Sequence, residues 1–141
     1  MNFDNIGWLF DNSYSRLSND LLVKQSPIPV KSPKLVILNK ELSKDLDLNF
    51  TNISNEDLSQ LFSGNILPSG SNSIAQAYAG HQFGHFTMLG DGRAVLMGEH
   101  LSKNNERFDI QFKGSGKTPF SRSGDGRAAL GPMLREYIIS E

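Results

Sequence analysis

Lys113 closes an alternating segment and is followed at once by Gly114-Ser115-Gly116. Further on, Glu136 lies in a run with helical spacing, Met133-Leu134-Arg135-Glu136-Tyr137-Ile138. Two copies of one pentapeptide, Gly90-Asp91-Gly92-Arg93-Ala94 and Gly124-Asp125-Gly126-Arg127-Ala128, bracket the lysine. Glycine turns, one lysine at a strand end and one helix glutamate could together hold a polyphosphate. Gly90 and Gly92 let a backbone approach a ligand closely and adopt positive φ. Arg93 brings a planar fork suited to an anion. The plainer reading of the first copy is a hairpin turn with a surface arginine. Asp91 and Asp125 can bind a ligand hydroxyl or a metal, or close Asx-turns on their own backbone. For Asp91 the turn is expected.

An ammonium on a strand, oriented by a helix carboxylate and aimed at phosphates, is how protein kinases hold ATP. Either residue alone would be ordinary, since exposed lysines and glutamates are common on strands and helices. The pairing carries the functional reading. Other motifs are weaker. Lys117-Thr118 after Gly116 suggests a P-loop, but that pattern needs glycine where Gln111 stands, and Pro119 follows directly. Residues 124–129 fit a GxGxxA dinucleotide fingerprint without the strand that should precede it. His81 and His85, four apart, could share a helix face as metal ligands. They lack the intervening glutamate of the zinc-protease pattern, and structural hydrogen bonding is favoured.

These residues need elements to hold them. Residues 107–113 alternate, with Phe108, Ile110 and Phe112 on one side and Asp109, Gln111 and Lys113 on the other. Residues 94–99 read as the hairpin partner across a Lys103-Asn104-Asn105 turn. Leu130, Met133, Leu134, Tyr137 and Ile138 form an apolar stripe at helical spacing. Upstream, residues 2–22 suggest an arm pinned by aromatic rings, and Pro27, Pro29 and Pro33 enforce extension. Residues 34–38 suggest a buried strand. Asn39 and Ser54 are expected to cap short helices, and Ser73 a third carrying Ile74, Ala77 and Tyr78. The domain expectation is one partial domain over 1–141: an arm and support over 1–79, and a nucleotide-binding part over 80–141.

The chain has 141 residues, 38% hydrophobic and 21% charged, which suits one globular domain. A net charge of −1 argues against nucleic-acid binding. A local excess remains, since Lys113, Lys117, Arg122 and Arg127 face only Asp125 in their interval; that suits one nucleotide. The lack of cysteine excludes disulfides, thiolate metal sites and cysteine nucleophiles. The N-terminus does not read as a signal peptide, and the longest aliphatic run, Leu35-Val36-Ile37-Leu38, is far too short to span a bilayer. A cytoplasmic protein without membrane partners is expected. The final helical run carries no stop signal, so the chain reads as cut off.

Several blocks closely resemble the selenoprotein O family, also called YdiU. They are residues 79–84 (Ala-Gly-His-Gln-Phe-Gly), 89–93 (Leu-Gly-Asp-Gly-Arg), 113–116 with 118–122 (Lys-Gly-Ser-Gly; Thr-Pro-Phe-Ser-Arg) and 124–128. Asn12-Ser13-Tyr14 and the proline segment match as well. The resemblance implies an α+β fold, the truncated N-terminal lobe of a kinase-like protein with antiparallel strands and a packed C-terminal helix. It implies a protein adenylyltransferase that binds ATP in a flipped orientation and transfers AMP to Ser, Thr or Tyr hydroxyls of target proteins. By the same resemblance Gly90, Gly92, Arg93, Lys113, Asp125 and Gly126 contact the nucleotide, and Glu136 pairs with Lys113. The family's catalytic base, its Mg2+ (or Mn2+) ligands and two further phosphate-binding arginines fall beyond residue 141. The implied fragment holds half of an ATP site and is inactive alone. Two alternatives stay open: a stand-alone nucleotide-sensing or interaction module, and a conventional kinase lobe that transfers the γ-phosphate.

Overall fold

Strand β5 (Ala94–Leu101) is the centre of the molecule, and its sequence explains why. Its first seven residues are all buried, so Ala94-Val95-Leu96-Met97 has apolar neighbours on both faces and shows no alternation. A computed structural model describes residues 3–82 and 84–140 of the chain. Phe83, part of the 79–84 block, lies outside the described residues, as do Met1, Asn2 and Glu141. The main sheet has the order β1-β2-β5-β6, with β1 (Leu22–Lys24), β2 (Ile74–Gln76) and β6 (Arg107–Lys113) all antiparallel to their neighbours. It takes two strands from each side of residue 80. A separate hairpin pairs β3 (Ala79–Gln82) with β4 (His85–Met88).

β6 alternates as its sequence requires, with Phe108, Ile110 and Phe112 half-buried and Lys113 exposed at its end. Its register runs from Leu101 opposite Arg107 to Ala94 opposite Lys113, with an irregularity between Leu96 and Gly98. That register sets the end of β6 beside the start of β5.

Phe3, Ile6, Leu48, Phe50, Leu58 and Leu61 form the larger core cluster. Two short helices frame it. In α1 (Lys40–Asp45) the Asn39 side-chain amide oxygen, Oδ1, accepts from Leu42 N at 2.9 Å. In α2 (Asn55–Phe62) the Ser54 hydroxyl accepts from Asp57 N at 3.1 Å. Each cap satisfies an otherwise orphaned helix donor. Rings then connect the arm to the sheet. Trp8 stacks on Phe10 at 5.5 Å and meets Phe50; Phe50 meets Phe62, and Phe62 meets Phe112 next to Lys113.

The arm, irregular apart from 3₁₀ turns at Asp4–Ile6 and Tyr14–Arg16, is also held by charge. Glu99, 1% exposed, accepts from the Ser13 hydroxyl, from Tyr14 N at 2.7 Å and from Arg107 Nη1 at 3.0 Å. Its neighbour His100 is equally buried. His100 Nδ1 accepts from Leu9 N at 3.1 Å, so Nε2 carries the proton and donates to the Leu46 carbonyl at 2.7 Å.

Several expectations are corrected. Residues 34–38 form no strand and pair with no described strand. Leu35 N donates instead to the Ser59 hydroxyl at 2.7 Å, and Leu35 and Leu38 pack on the core while Val36 and Ile37 are exposed. The helix expected after Ser73 is strand β2, because pairing with β1 and β5 buries Ile74 and Ala75 fully. His81 and His85 lie on the two strands of a hairpin, so helical spacing does not bring them together. Gln82 faces His85 there, and His81 faces Phe86. The first pentapeptide is not a hairpin turn: it joins β4 to β5, which belong to different sheets. The C-terminal helix α3 (Leu130–Ser140) forms where expected but buries no residue fully. Met133, Leu134 and Tyr137 are half-buried, whereas Leu130 and Ile138 are 56% and 73% exposed.

Candidate functional site

The ladder between β5 and β6 sets Lys113 directly across from Ala94, where the first pentapeptide ends. Gly114 N donates to the Arg93 carbonyl at 2.9 Å and fixes that junction. From the other side α3 presents Glu136. Lys113 Nζ lies 2.8 Å from both Glu136 oxygens. The two side chains are 48% and 54% exposed. An ammonium has three N–H donors; two go to Glu136 and one remains for another acceptor. A pair this open contributes at most about 1 kcal/mol to stability, so folding alone gives little reason to have it.

Lys113 sits on the wall of a cleft of about 590 Å³, which Gly90, Gly92, Arg93, Asp125 and Gly126 also line. The structure therefore brings all six residues expected to contact a ligand onto one concavity. Its two loops are joined by hydrogen bonds. Arg93 Nη1 donates to the Arg127 carbonyl at 2.8 Å, and Gly116 N to the Gly126 carbonyl at 3.2 Å. The hydroxyls of Thr118 and Ser121 both donate to the Gly92 carbonyl. Gly90, Gly92, Gly124 and Gly126 all have φ between +50° and +113°, where glycine alone is unstrained. Space divides them. A Cβ on Gly92 would meet nothing within 4 Å, whereas one on Gly126 would lie 2.4 Å from the Gly116 backbone. Gly92 leaves the cleft open, and Gly126 closes the packing behind it.

The two aspartates differ. Asp91 does not make the expected turn with its own loop. Its carboxylate accepts from Gln76 N at 2.9 Å, and its own N–H donates to the Gln76 carbonyl at 2.9 Å. Burial pushes the Asp91 carboxyl above its ordinary range, against the opposing pull of hydrogen bonds from Gln76, Tyr78 and Gln111. Burial and the neighbouring Asp91 likewise push the Tyr78 phenol up. Asp91 thus anchors the loop to β2. Asp125 does make the local turn, accepting from Arg127 N at 2.9 Å. Each carboxylate thus accepts from a backbone N–H. No group of three or more His, Asp or Glu residues that could hold a metal assembles among the described residues.

Thr118 and Ser121 were not singled out in the sequence as site residues. Their signal was there in Thr118-Pro119-Phe120-Ser121, where Thr118 N donates to the Ser121 hydroxyl and Phe120 N to the Thr118 hydroxyl. The P-loop reading fails on the same contacts. Thr118 is buried with its hydroxyl on Gly92, and no helix follows Lys117.

Comparison with known proteins agrees with the resemblance. The family model described as Protein adenylyltransferase SelO matches residues 6–141. The chain is 75% identical over 136 residues to the Protein nucleotidyltransferase YdiU of Pelagibacter ubique, covering 96% of this chain and 28% of that protein. It is 62% identical to the protein of the same name from Nitrosococcus oceani, over all of this chain and 29% of that relative. Proteins with that name from Brevibacillus brevis and Geobacillus kaustophilus are each 62% identical over 135 residues. The chain thus spans between a quarter and a third of the length of these relatives, and it belongs to the SelO family of protein adenylyltransferases.

Proposed function

We propose that residues 1–141 are the nucleotide-binding portion, the N-terminal lobe of a kinase-like fold, of a cytoplasmic protein adenylyltransferase. The whole protein transfers AMP from ATP to Ser, Thr or Tyr hydroxyls of other proteins. In this reading residues 80–141 hold the nucleotide and residues 1–79 support them. One observation carries the proposal: in a member of this family, Lys113 is held by Glu136 on the wall of a glycine-lined cleft. No helix among the described residues is long and apolar enough to cross a membrane.

The chemistry follows from charge and position. The target hydroxyl oxygen bonds to the α-phosphorus, the bond from that phosphorus to the α,β-bridging oxygen breaks, and pyrophosphate leaves. Negative charge grows on the bridging oxygen, and a fixed cation at that end lowers the barrier. Lys113 supplies the cation, and Glu136 keeps it from folding back into solvent. Gly92 leaves open space for phosphate oxygens beside its loop, and the Arg93 bond to Arg127 keeps the two loops at one spacing. None of residues 1–141 is assigned as the base for the hydroxyl proton, and this portion alone is expected to transfer nothing. Mg2+ or Mn2+, which the family implies, would neutralise phosphate charge.

The test is labelling by the complete gene product with ATP labelled at the α- or the γ-phosphate. Label on protein from α-labelled ATP alone is the expected result. Label from γ-labelled ATP would instead identify a conventional kinase.

A further inference from the structure

The cleft is polar on most sides. Gly, Asp, Arg, Lys, Ser and Gln residues make up nearly all of its described lining, and Leu89 and Phe120 are its large apolar side chains. Phe120 is the aromatic ring among them, and it is firmly placed. Its N–H donates to the Thr118 hydroxyl at 3.1 Å, and Thr118 is itself buried and bonded to the Gly92 carbonyl. Its ring rests on Gly90, where a Cβ would lie only 3.0 Å from Phe120 Cγ and 2.3 Å from the Gln76 carbonyl. Glycine at 90 thus lets the ring lie against the loop. The ring is nevertheless only half-buried.

We infer that Phe120 is the surface on which the nucleobase stacks while Lys113 takes the phosphates. The inference rests on the reading of this cleft as a nucleotide site and extends it to the base. A ligand that fits here has a polyanionic part for the cation and glycine turns, and a flat, weakly polar part for an isolated aromatic wall. A nucleoside triphosphate has both. Stacking needs only a π-face, so the wall itself discriminates weakly among bases and strongly between nucleotides and free polyphosphate. Selectivity for one base would have to come from hydrogen bonds elsewhere.

Two ligands separate the two parts of the cleft. Binding of MgATP and of magnesium tripolyphosphate is measured by calorimetry on the complete gene product and on its Phe120→Ala, Phe120→Leu and Phe120→Tyr variants. The expected result is about tenfold weaker ATP binding in the Ala and Leu variants, unchanged tripolyphosphate binding, and near-normal values for Tyr. Phe120→Leu keeps an apolar side chain of similar bulk, so it decides the matter if Phe120→Ala fails to fold. Equal weakening of both ligands in a folded variant overturns the inference, and so does unchanged ATP binding. Failure of the unsubstituted protein to bind either ligand overturns the nucleotide reading itself, a different outcome from either of these.

Discussion

Lys113→Ala should separate function from folding. The pair it breaks spans 2.8 Å, but both side chains are about half exposed. Its loss should therefore lower stability by at most about 1 kcal/mol. The effect on a bound polyphosphate is larger. A unit charge about 4 Å from a phosphate charge is worth roughly 4 kcal/mol before desolvation at a surface-like dielectric. Net, a hydrogen bond to a charged group contributes about 1.5–3 kcal/mol. ATP affinity should fall about tenfold to a hundredfold, with AMP transfer falling at least as far.

Glu136→Gln makes the complementary change. It keeps the side-chain size and leaves the ammonium in place but removes its steering charge, so the loss should be smaller than for Lys113→Ala. The double variant should be no worse than Lys113→Ala alone, because Glu136 acts only through the lysine. The assay is protein labelling from α-labelled ATP by the complete gene product, paired with urea unfolding of each variant. Unchanged labelling in a folded Lys113→Ala protein would remove the central assignment. Additive losses in the double variant would show that Glu136 acts by some other route.

Three further outcomes follow from the loops and from the carboxylates of Glu99 and Asp91. Gly92→Ala should remain folded, losing about 1–2 kcal/mol for a left-handed non-glycine residue, yet bind ATP poorly. Gly126→Ala, whose Cβ meets the Gly116 backbone at 2.4 Å, should lose far more stability; thermal melts and calorimetry on both variants check the contrast. Burial pulls the Glu99 carboxyl up, but Ser13, Tyr14 and Arg107 together hold it below its ordinary value of 4.5. Its stabilisation is therefore present above that value and lost as pH falls through the lower folded one. Glu99→Gln should flatten the acid limb of the stability curve and loosen residues 11–16 in hydrogen exchange. Asp91 has the opposite sign, since its folded value is raised above 3.8. Its ionisation costs stability as pH rises from 3.8 through the folded value, and a stability–pH profile of Asp91→Asn should lack that downward slope.

The strand bearing Lys113 was legible because its environment is one-sided: Phe108, Ile110 and Phe112 alternate with charged or polar residues, and β6 has the expected bounds. Ser54 and Asn39 were legible because a cap is a local bond between neighbours in sequence. Ile74-Ala75-Gln76 was not, because three residues carry no period and the partners that make them a strand are Leu22–Lys24 and Leu96. Residues 34–38 misled for a related reason. Four consecutive aliphatic residues suit a buried strand, but Ser59 takes the Leu35 N–H and no strand among the described residues pairs with the others. The meeting of Lys113 with Glu136 was legible as a pairing of types. Its distance depended on how α3 sits, and no residue of α3 is fully buried.

The repeated pentapeptide shows how far residue type alone goes at this site. Both copies supply glycines with positive φ and an arginine, and both line the same cleft. Their aspartates nevertheless have different functions. Asp91 reaches back fifteen positions to the end of β2, because the loop it belongs to must join two sheets. Asp125 reaches two positions forward to Arg127, because its loop leads into α3 and is held instead by Gly116 and Arg93. The arginines divide likewise, Arg93 bonding the second loop and Arg127 the proline segment at Pro29. Here each guanidinium gives an N–H to a backbone carbonyl and so fixes the loop spacing, while its charge and its other donors stay on the cleft wall beside Lys113.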